Sequence, residues 1–139
     1  MNRKLFAASL VLGFALSGTI SLAAKTFPLT SSESAPAASG KVDVKKDKNG
    51  NTEVTLKAEH LAQPGMLTPP ATSYVVWFQA EGSDPSNQGQ LKVDRGLKGE
   101  FKTTTRLQNF DVFVTAETDP LTKTPAGQNV LKAKVQDVD

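Results

Sequence analysis

The sequence contains no cysteine and, in 139 residues, only one histidine, one tryptophan and one tyrosine. Without cysteine the chain can form no disulfide and has no thiol nucleophile. One histidine falls short of the several Cys or His ligands that a zinc site requires. An acid–base mechanism built on histidine would have to use His60, and we expect its neighbour Glu59 on the opposite face of a strand. These absences predict a protein that is not an enzyme.

A short apolar run at the N-terminus is typical of a secretory signal peptide. Arg3 and Lys4 precede it, and Ser21-Leu22-Ala23 fits a small-x-small cleavage site. The run is too short to span a bilayer, and no later apolar segment is long enough to do so. We therefore predict a signal peptide over residues 1–23, no transmembrane segment after its removal, and export to the periplasm or out of the cell.

Charge is balanced once the predicted signal peptide is set aside. The chain has 16 Lys and Arg against 14 Asp and Glu, and two of the basic residues, Arg3 and Lys4, belong to the signal, which leaves 14 of each sign. A neutral chain with interspersed charges lacks the basic surface that nucleic-acid-binding proteins use. We predict no nucleic-acid partner.

Two regions follow the signal peptide. Residues 24–40 are rich in Ser, Ala and Pro, a composition that buries little apolar surface and is typical of a flexible linker. From residue 41 onward apolar and polar residues alternate, which is the pattern of half-buried strands. We predict a disordered linker over residues 24–40 and one folded domain over residues 41–136, a length that suits a single hydrophobic core.

The segment Tyr-Val-Val-Trp-Phe-Gln-Ala at residues 74–80 is the most concentrated apolar run of the predicted domain. Its β-branched and aromatic side chains predict a central strand, with Trp77 near the middle of the core. Asn49-Gly50 predicts a hairpin turn. In all, seven short strands are predicted, at residues 41–45, 52–58, 74–80, 90–94, 98–106, 110–117 and 128–136. This spacing is typical of a small all-β fold, an antiparallel two-sheet sandwich of immunoglobulin-like type.

Acidic residues suggest two further kinds of site, and each has a simpler explanation. Asp47, Asn49 and Asn51 alternate as at the start of a calcium loop, but Ala58 stands where that loop needs a bidentate acid, and a hairpin turn uses the same residues. The other carboxylates show no spacing that predicts a facing pair across a cleft, and a solvated face accounts for them: Glu81, Asp84, Asp94, Glu100, Asp111, Glu117 and Asp119. We predict no catalytic residue, no metal site and no cofactor.

Aromatic side chains give the only candidate for a binding surface. Both faces of the central strand are apolar, with Tyr74 and Phe78 on one face and Trp77 on the other. Phe113 faces away from the other apolar residues of its own strand. A partner or a neighbouring domain could cover such a patch, and so could loops or the linker of this chain. We therefore name Tyr74, Trp77, Phe78 and Phe113 as a candidate interaction surface.

Several segments resemble, in their order, a family of exported bacterial proteins of unassigned function. They are His60-Leu61, a Pro-bearing loop, Tyr74-Val-Val-Trp77, Gly89-Gln-Leu-Lys-Val-Asp94, Phe110-Asp-Val-Phe-Val-Thr-Ala-Glu117 and residues 125–131. The same order is similar, more loosely, to the C-terminal extracytoplasmic domain of anti-sigma-K factors. The resemblance covers about residues 40 to 135 and implies a shared sandwich fold rather than a shared function. Because the sequence shows neither a sigma-binding part nor a membrane helix, we expect it to share only the sensor-side sandwich.

Two hypotheses for function remain open at this point. The first is a non-catalytic interaction or structural module of the cell envelope, whose partner would be an envelope protein. The second is an extracytoplasmic sensor or regulatory domain related to the anti-sigma-K sandwich, for which a gene next to a sigma factor would argue. The sequence predicts neither the identity of the partner nor the oligomeric state.

Overall fold

The computed structural model describes residues 24–138, and the predicted signal peptide, residues 1–23, lies outside the described residues. Within that range the chain forms eight strands and a single 3-10 turn at Pro64–Met66. The strands are β1 (Lys25–Ser31), β2 (Ser39–Lys46), β3 (Thr52–Glu59), β4 (Ser73–Ala80), β5 (Ser86–Leu91), β6 (Gly99–Thr105), β7 (Phe110–Glu117) and β8 (Gln128–Val135).

The eight strands form one nearly closed antiparallel sheet. Their order across the sheet is β5–β4–β7–β8–β1–β2–β3–β6. The two end strands come together at the connection between them, where Val93 is bridged to Gly99. The prediction of an all-β antiparallel fold is confirmed. In the described range no helix has the length and apolar character needed to cross a membrane.

The β2–β3 hairpin forms as its turn residues predict. Gly50 adopts a φ of 78°, which glycine reaches without a steric penalty. One carboxylate oxygen of Asp47 accepts hydrogen bonds from the backbone N–H groups of Asn49 and Asn51, at 2.8 and 2.9 Å. The hairpin explanation of this segment is therefore confirmed, and the Asp47 carboxylate serves to close the turn.

The predicted flexible linker over residues 24–40 is wrong, because β1 and the start of β2 lie within it. β1 pairs with β2 from Lys25 to Leu29 and then with β8 at Thr30 and Ser31. Phe27 and Leu29 alternate with polar residues and pack on the core. The prediction failed because a proline-rich composition is typical of a linker. Pro28 nevertheless fits in β1, because at this residue β1 pairs with β2 only, and a strand tolerates proline where one of its edges is unpaired.

One face of the sheet encloses the hydrophobic core. From β4 this core contains Tyr74, Val76 and Phe78, and the ring of Phe78 lies 4.8 Å from that of Phe110. Trp77 is fully buried, as predicted, but it lies on the opposite face of β4 and outside this core. The predicted position of Trp77 in the middle of the core is therefore wrong, because side chains alternate between the two faces of a strand.

The strand predicted at residues 90–94 lies earlier in the chain, as β5 (Ser86–Leu91). Its sequence, Ser-Asn-Gln-Gly-Gln-Leu, contains one apolar residue and shows no alternation. Since β5 is at one end of the sheet, it pairs with β4 alone, and its pairing is interrupted opposite Val76 and Trp77. Pairing to the strongly apolar β4, rather than propensity of its own, holds this segment in the sheet.

Candidate functional site

A groove of about 700 Å³ lies on the outer face of the sheet, where β4, β7, β8 and β1 are neighbours. It forms because β1 pairs with β8 only at Thr30 and Ser31, while its earlier residues pair with β2. The first half of β1 therefore separates from the second half of β8, and Phe27 and Pro28 line the opening on that side.

Phe113 is the aromatic residue that β7 contributes to this groove. Its side chain is half-buried, and its ring stacks on that of Trp77 with the centroids 6.3 Å apart and the planes 14° from parallel. The two residues are direct cross-strand partners on β7 and β4. Such an offset, near-parallel arrangement stabilises an aromatic pair beyond the area that it buries. The buried indole thus holds the Phe113 ring in place at the groove.

Charged and amide side chains surround the Phe113 ring. The strand register places Lys132 opposite Phe113 and Lys134 opposite Asp111, with Gln79 opposite Asp111 on the other side. Lys132, Lys134 and Asp111 are exposed and line the groove. An apolar centre with a polar, solvent-accessible rim is the general composition of a recognition surface.

A chain of hydrogen bonds lies beside the groove and fixes the buried indole. The Trp77 Nε1–H donates to the Thr115 hydroxyl at 2.8 Å, and that hydroxyl donates to the Glu117 carboxylate. The Glu117 oxygens also accept the backbone N–H groups of Ala126 and Gly127 at 3.0–3.3 Å. Glu117 and Thr115 are both buried. Each side-chain polar group of this hydrogen-bond network has a partner, as is usual for buried polar groups.

The loop of residues 118–127 is held to the outer face of the sheet, beside the buried Trp77. Asn87 on β5, the direct cross-strand neighbour of Trp77, donates through its Nδ2 to the carbonyls of Pro120 and Thr122 at 3.0 and 2.8 Å. A Cβ atom at Gly127 would lie 1.6 Å from the Ala116 carbonyl oxygen, so this loop can approach β7 only with glycine there. Together with Glu117, these contacts explain why an aromatic side chain on an outer sheet face is hidden from solvent.

Three of the four predicted surface aromatics are not accessible. Tyr74 and Phe78 point into the core, and Trp77 is buried on the outer face. The Tyr74 hydroxyl donates to the Ala62 carbonyl at 2.7 Å, and burial raises the pKa of Tyr74 to about 12. The prediction of an interaction surface is wrong for these three residues, because packing within the chain covers both faces of β4. Of the four predicted residues, Phe113 alone lines the groove.

The remaining candidate residues do not come together in the fold. His60 and Glu59 are exposed at the end of β3, and His60 has a φ of 53°. Asp111 is exposed on the outer face, as predicted, whereas Glu117 is buried as an acceptor of backbone N–H groups. Between residues 24 and 138, no group of three or more His, Cys, Asp and Glu residues is arranged to hold a metal ion.

Sequence reasoning missed the structural role of Thr115, Glu117 and Gly127. The alternation in β7 does place Phe113, Thr115 and Glu117 on the face opposite its apolar residues, and that signal was available. The loop that supplies the N–H groups to Glu117 is known only from the fold.

No protein-family model matches this chain, and no curated protein matches it in sequence.

Proposed function

We propose that this protein is a non-catalytic interaction module of the cell envelope, exported by its N-terminal signal, and that its partner binds in the groove beside Phe113. The observation that supports this proposal most is the groove itself: an aromatic ring, held by a buried indole, within a rim of two ammonium groups and one carboxylate. Aromatic residues, phenylalanine among them, are enriched in protein interfaces relative to the rest of the protein surface.

The distribution of the acidic residues also favours binding over catalysis. Glu117 is the buried carboxylate near the groove, and its oxygens already accept hydrogen bonds from the Thr115 hydroxyl and from two backbone N–H groups. The one carboxylate that lines the groove, Asp111, is exposed beside Lys134 on the paired strand. A general acid–base pair needs two groups in distinct environments facing one substrate position, and this groove offers a single carboxylate.

We infer further that the nearly closed sheet is folded over as a two-layer sandwich of immunoglobulin-like type. In this arrangement β2, β3 and β6 form one layer, β5, β4, β7 and β8 form the other, and β1 joins both. Two features support the inference: β1 changes partner after Leu29, and inward side chains of both strand groups, such as Val54 and Val112, belong to one core. Interdigitated inner faces are what packs two sheets together.

The proposed interaction can be tested by affinity capture with matched variants. C-terminally tagged protein would be isolated from crosslinked native cells and its companions identified by mass spectrometry. Lys132→Glu reverses a charge at the groove, and Lys57→Glu makes the same change on β3, among the charged side chains of a different face. We expect the wild type and Lys57→Glu each to recover one envelope protein in an amount near that of the tagged protein itself. Lys132→Glu should recover about tenfold less of that companion.

Two results would contradict the proposal. Equal recovery of the companion with Lys132→Glu would place the interaction elsewhere on the protein. The absence of any enriched companion, repeated at low salt to preserve charge-dependent contacts, would argue against an interaction module altogether.

A further inference from the structure

Pairing between β1 and β8 stops at a proline. The Ser32 N–H donates to a carbonyl of β8 at 3.1 Å, and two residues earlier Thr30 lies opposite Lys132. Hydrogen-bonded pairs recur at every second residue of two antiparallel strands, so the next such pair would join Pro28 to Lys134. Pro28 has no N–H to donate, and in the part of the chain that the structure describes β1 pairs with β8 at no residue before Thr30. The sequence of β1 thus leaves a gap in the sheet, which we call the β1–β8 window.

The β1–β8 window is closed at both ends and reaches the edge of the hydrophobic core. The last pair between the two strands closes one end, and at the other end the Lys25 ammonium donates to the Asp137 carbonyl. Between these ends, Phe27 of β1 and Ala133 of β8 both pack against the core and both line the groove. An apolar side chain that enters the window from the groove would therefore meet apolar surface, which favours its burial.

Two lysines beside the β1–β8 window have no ionic partner. Lys132 and Lys134 line the groove and are exposed. Within the described residues neither forms an ion pair with a carboxylate, although Asp111 lies opposite Lys134 on β7. Asp111 is the one acidic residue that lines the groove, so two positive charges face a single negative one. An acidic occupant would gain charge-assisted hydrogen bonds here, whereas a basic occupant would meet like charges.

We propose that the partner binds this groove with an acidic segment, in which one apolar side chain, between two acidic residues, inserts into the β1–β8 window. The inference rests on the proposed function and names the chemistry of the partner at the same site. The apolar side chain packs on Phe27 and Ala133, and the carboxylates pair with Lys132 and Lys134. The N–H and C=O groups of Lys134 face the window without a partner on β1, so they can bind the backbone of an extended segment.

An NMR titration of the isotope-labelled, purified protein tests this chemistry with a defined probe, acetyl-Glu-Leu-Glu-amide. One control, acetyl-Lys-Leu-Lys-amide, reverses the charge, and the other, acetyl-Glu-Ala-Glu-amide, lacks the large apolar side chain. We expect the probe to bind with a Kd of ~1 mM and each control to bind at least about tenfold more weakly. The backbone amides of Ala133 and Lys134 should show the largest changes in chemical shift.

Variants of the protein test the window and its charge separately. Ala133→Leu fills the window with a side chain of the protein itself, so its affinity for the probe should fall by at least about tenfold. Ala62→Leu makes the same change at another partly buried alanine, one that does not line the groove, and should bind as the wild type does. Lys134→Glu, at an exposed residue, should weaken binding by about tenfold. Circular dichroism confirms that each variant is folded.

No binding of the probe, equal binding of the lysine peptide, or unchanged binding by Ala133→Leu would each overturn the proposal. Binding of octanoate at Ala133 without binding of the probe would also overturn it, because the groove would then take a free amphipathic acid.

The capture experiment fails or succeeds separately from this titration. A companion that is lost with Lys132→Glu, together with no binding of the probe, would support the proposed function and refute only the chemistry of the acidic segment. Binding of the probe without any captured companion would support that chemistry and contradict the proposed function.

Discussion

The indole N–H of Trp77 donates a hydrogen bond to the hydroxyl of Thr115 across two neighbouring strands, at 2.8 Å. This bond joins the only tryptophan of the chain to the buried carboxylate of Glu117, and through it to the loop that ends at Gly127. One face of β4 thus carries a second buried cluster, separate from the main core. The groove beside Phe113 depends on that cluster, because Phe113 rests on the Trp77 ring.

Replacing Trp77 tests the stability of this outer cluster. Trp77→Ala removes a fully buried side chain and leaves the Thr115 hydroxyl without its donor, so we expect the free energy of unfolding to fall by ~3–5 kcal/mol. Equilibrium unfolding in urea measures the change. Met66→Ala, at a residue that is 79% exposed, is the control, for which a change within about 0.5 kcal/mol is expected. A loss below about 1 kcal/mol for Trp77→Ala would show that the cluster contributes little.

Glu117 anchors the loop, and its charge is important for that role. Glu117→Gln keeps the size of the side chain but replaces one acceptor oxygen with an NH₂ group that faces backbone N–H donors. We expect a loss of about 1.5–3 kcal/mol, because hydrogen bonds to a charged group are involved. Hydrogen exchange at the amides of Ala126 and Gly127 should become faster in this variant. Glu81→Gln, at an exposed position, serves as the control, and unchanged exchange in Glu117→Gln would contradict the anchoring role.

Gly127 is required by the close approach of the loop to β7. In Gly127→Ala the new Cβ would overlap the Ala116 carbonyl oxygen, so the loop must move away and Glu117 loses its N–H donors. We expect the free energy of unfolding to fall by about 2–4 kcal/mol. Gly65→Ala is the matched control, since its Cβ would come no closer than 3.9 Å to another atom. Equal stabilities of the two variants in urea would contradict this explanation.

Tyr74 is the only tyrosine, so its ionisation can be observed directly by ultraviolet absorbance. Burial raises its pKa to about 12 in the folded protein, above the value of about 10 expected in the unfolded chain. The folded state therefore retains the proton more strongly. The contribution to stability is fully present below pH 10 and is lost between about pH 10 and 12, by ~2–3 kcal/mol.

The matched variant for this prediction is Tyr74→Phe, which has no ionisable group at residue 74. The loss of stability that Tyr74 causes above pH 10 should therefore be absent from this variant. Urea unfolding of both proteins at several pH values gives the free energy of unfolding as a function of pH, and the difference between the two curves is the contribution of Tyr74. A tyrosine that titrates near its ordinary pKa while the protein remains folded would show that the hydroxyl is solvated and would contradict its burial against Ala62.

Most of the strands could be predicted from the sequence, because their signals are local. The turn at Asn49-Gly50 and the alternation in β3 specify a hairpin without reference to the rest of the chain. β1 could not be recognised in the same way. Its Pro28 and the Ser- and Ala-rich residues that follow suggest a linker, and only the presence of β2 and β8 on either side stabilises it as a strand.

The candidate site was less predictable than the fold, since it depends on which of two apolar faces the chain itself covers. The sequence shows that Tyr74 and Trp77 lie on opposite faces of β4, but not that both faces are buried. The cover for Trp77 comes from a loop of polar residues, held by Glu117 and Asn87. Contacts of this kind depend on tertiary structure, and residue patterns within a strand do not predict them.

Site-specific photo-crosslinking in native cells tests the central proposal, a partner in the groove beside Phe113, most directly. A benzophenone side chain would replace Lys132, at the rim of the groove, and, in a control protein, Lys57 on β3. The proposal predicts a single adduct of defined mass on irradiation of the Lys132 protein and none from the Lys57 protein. No adduct at Lys132, or the same adduct from both positions, would contradict it.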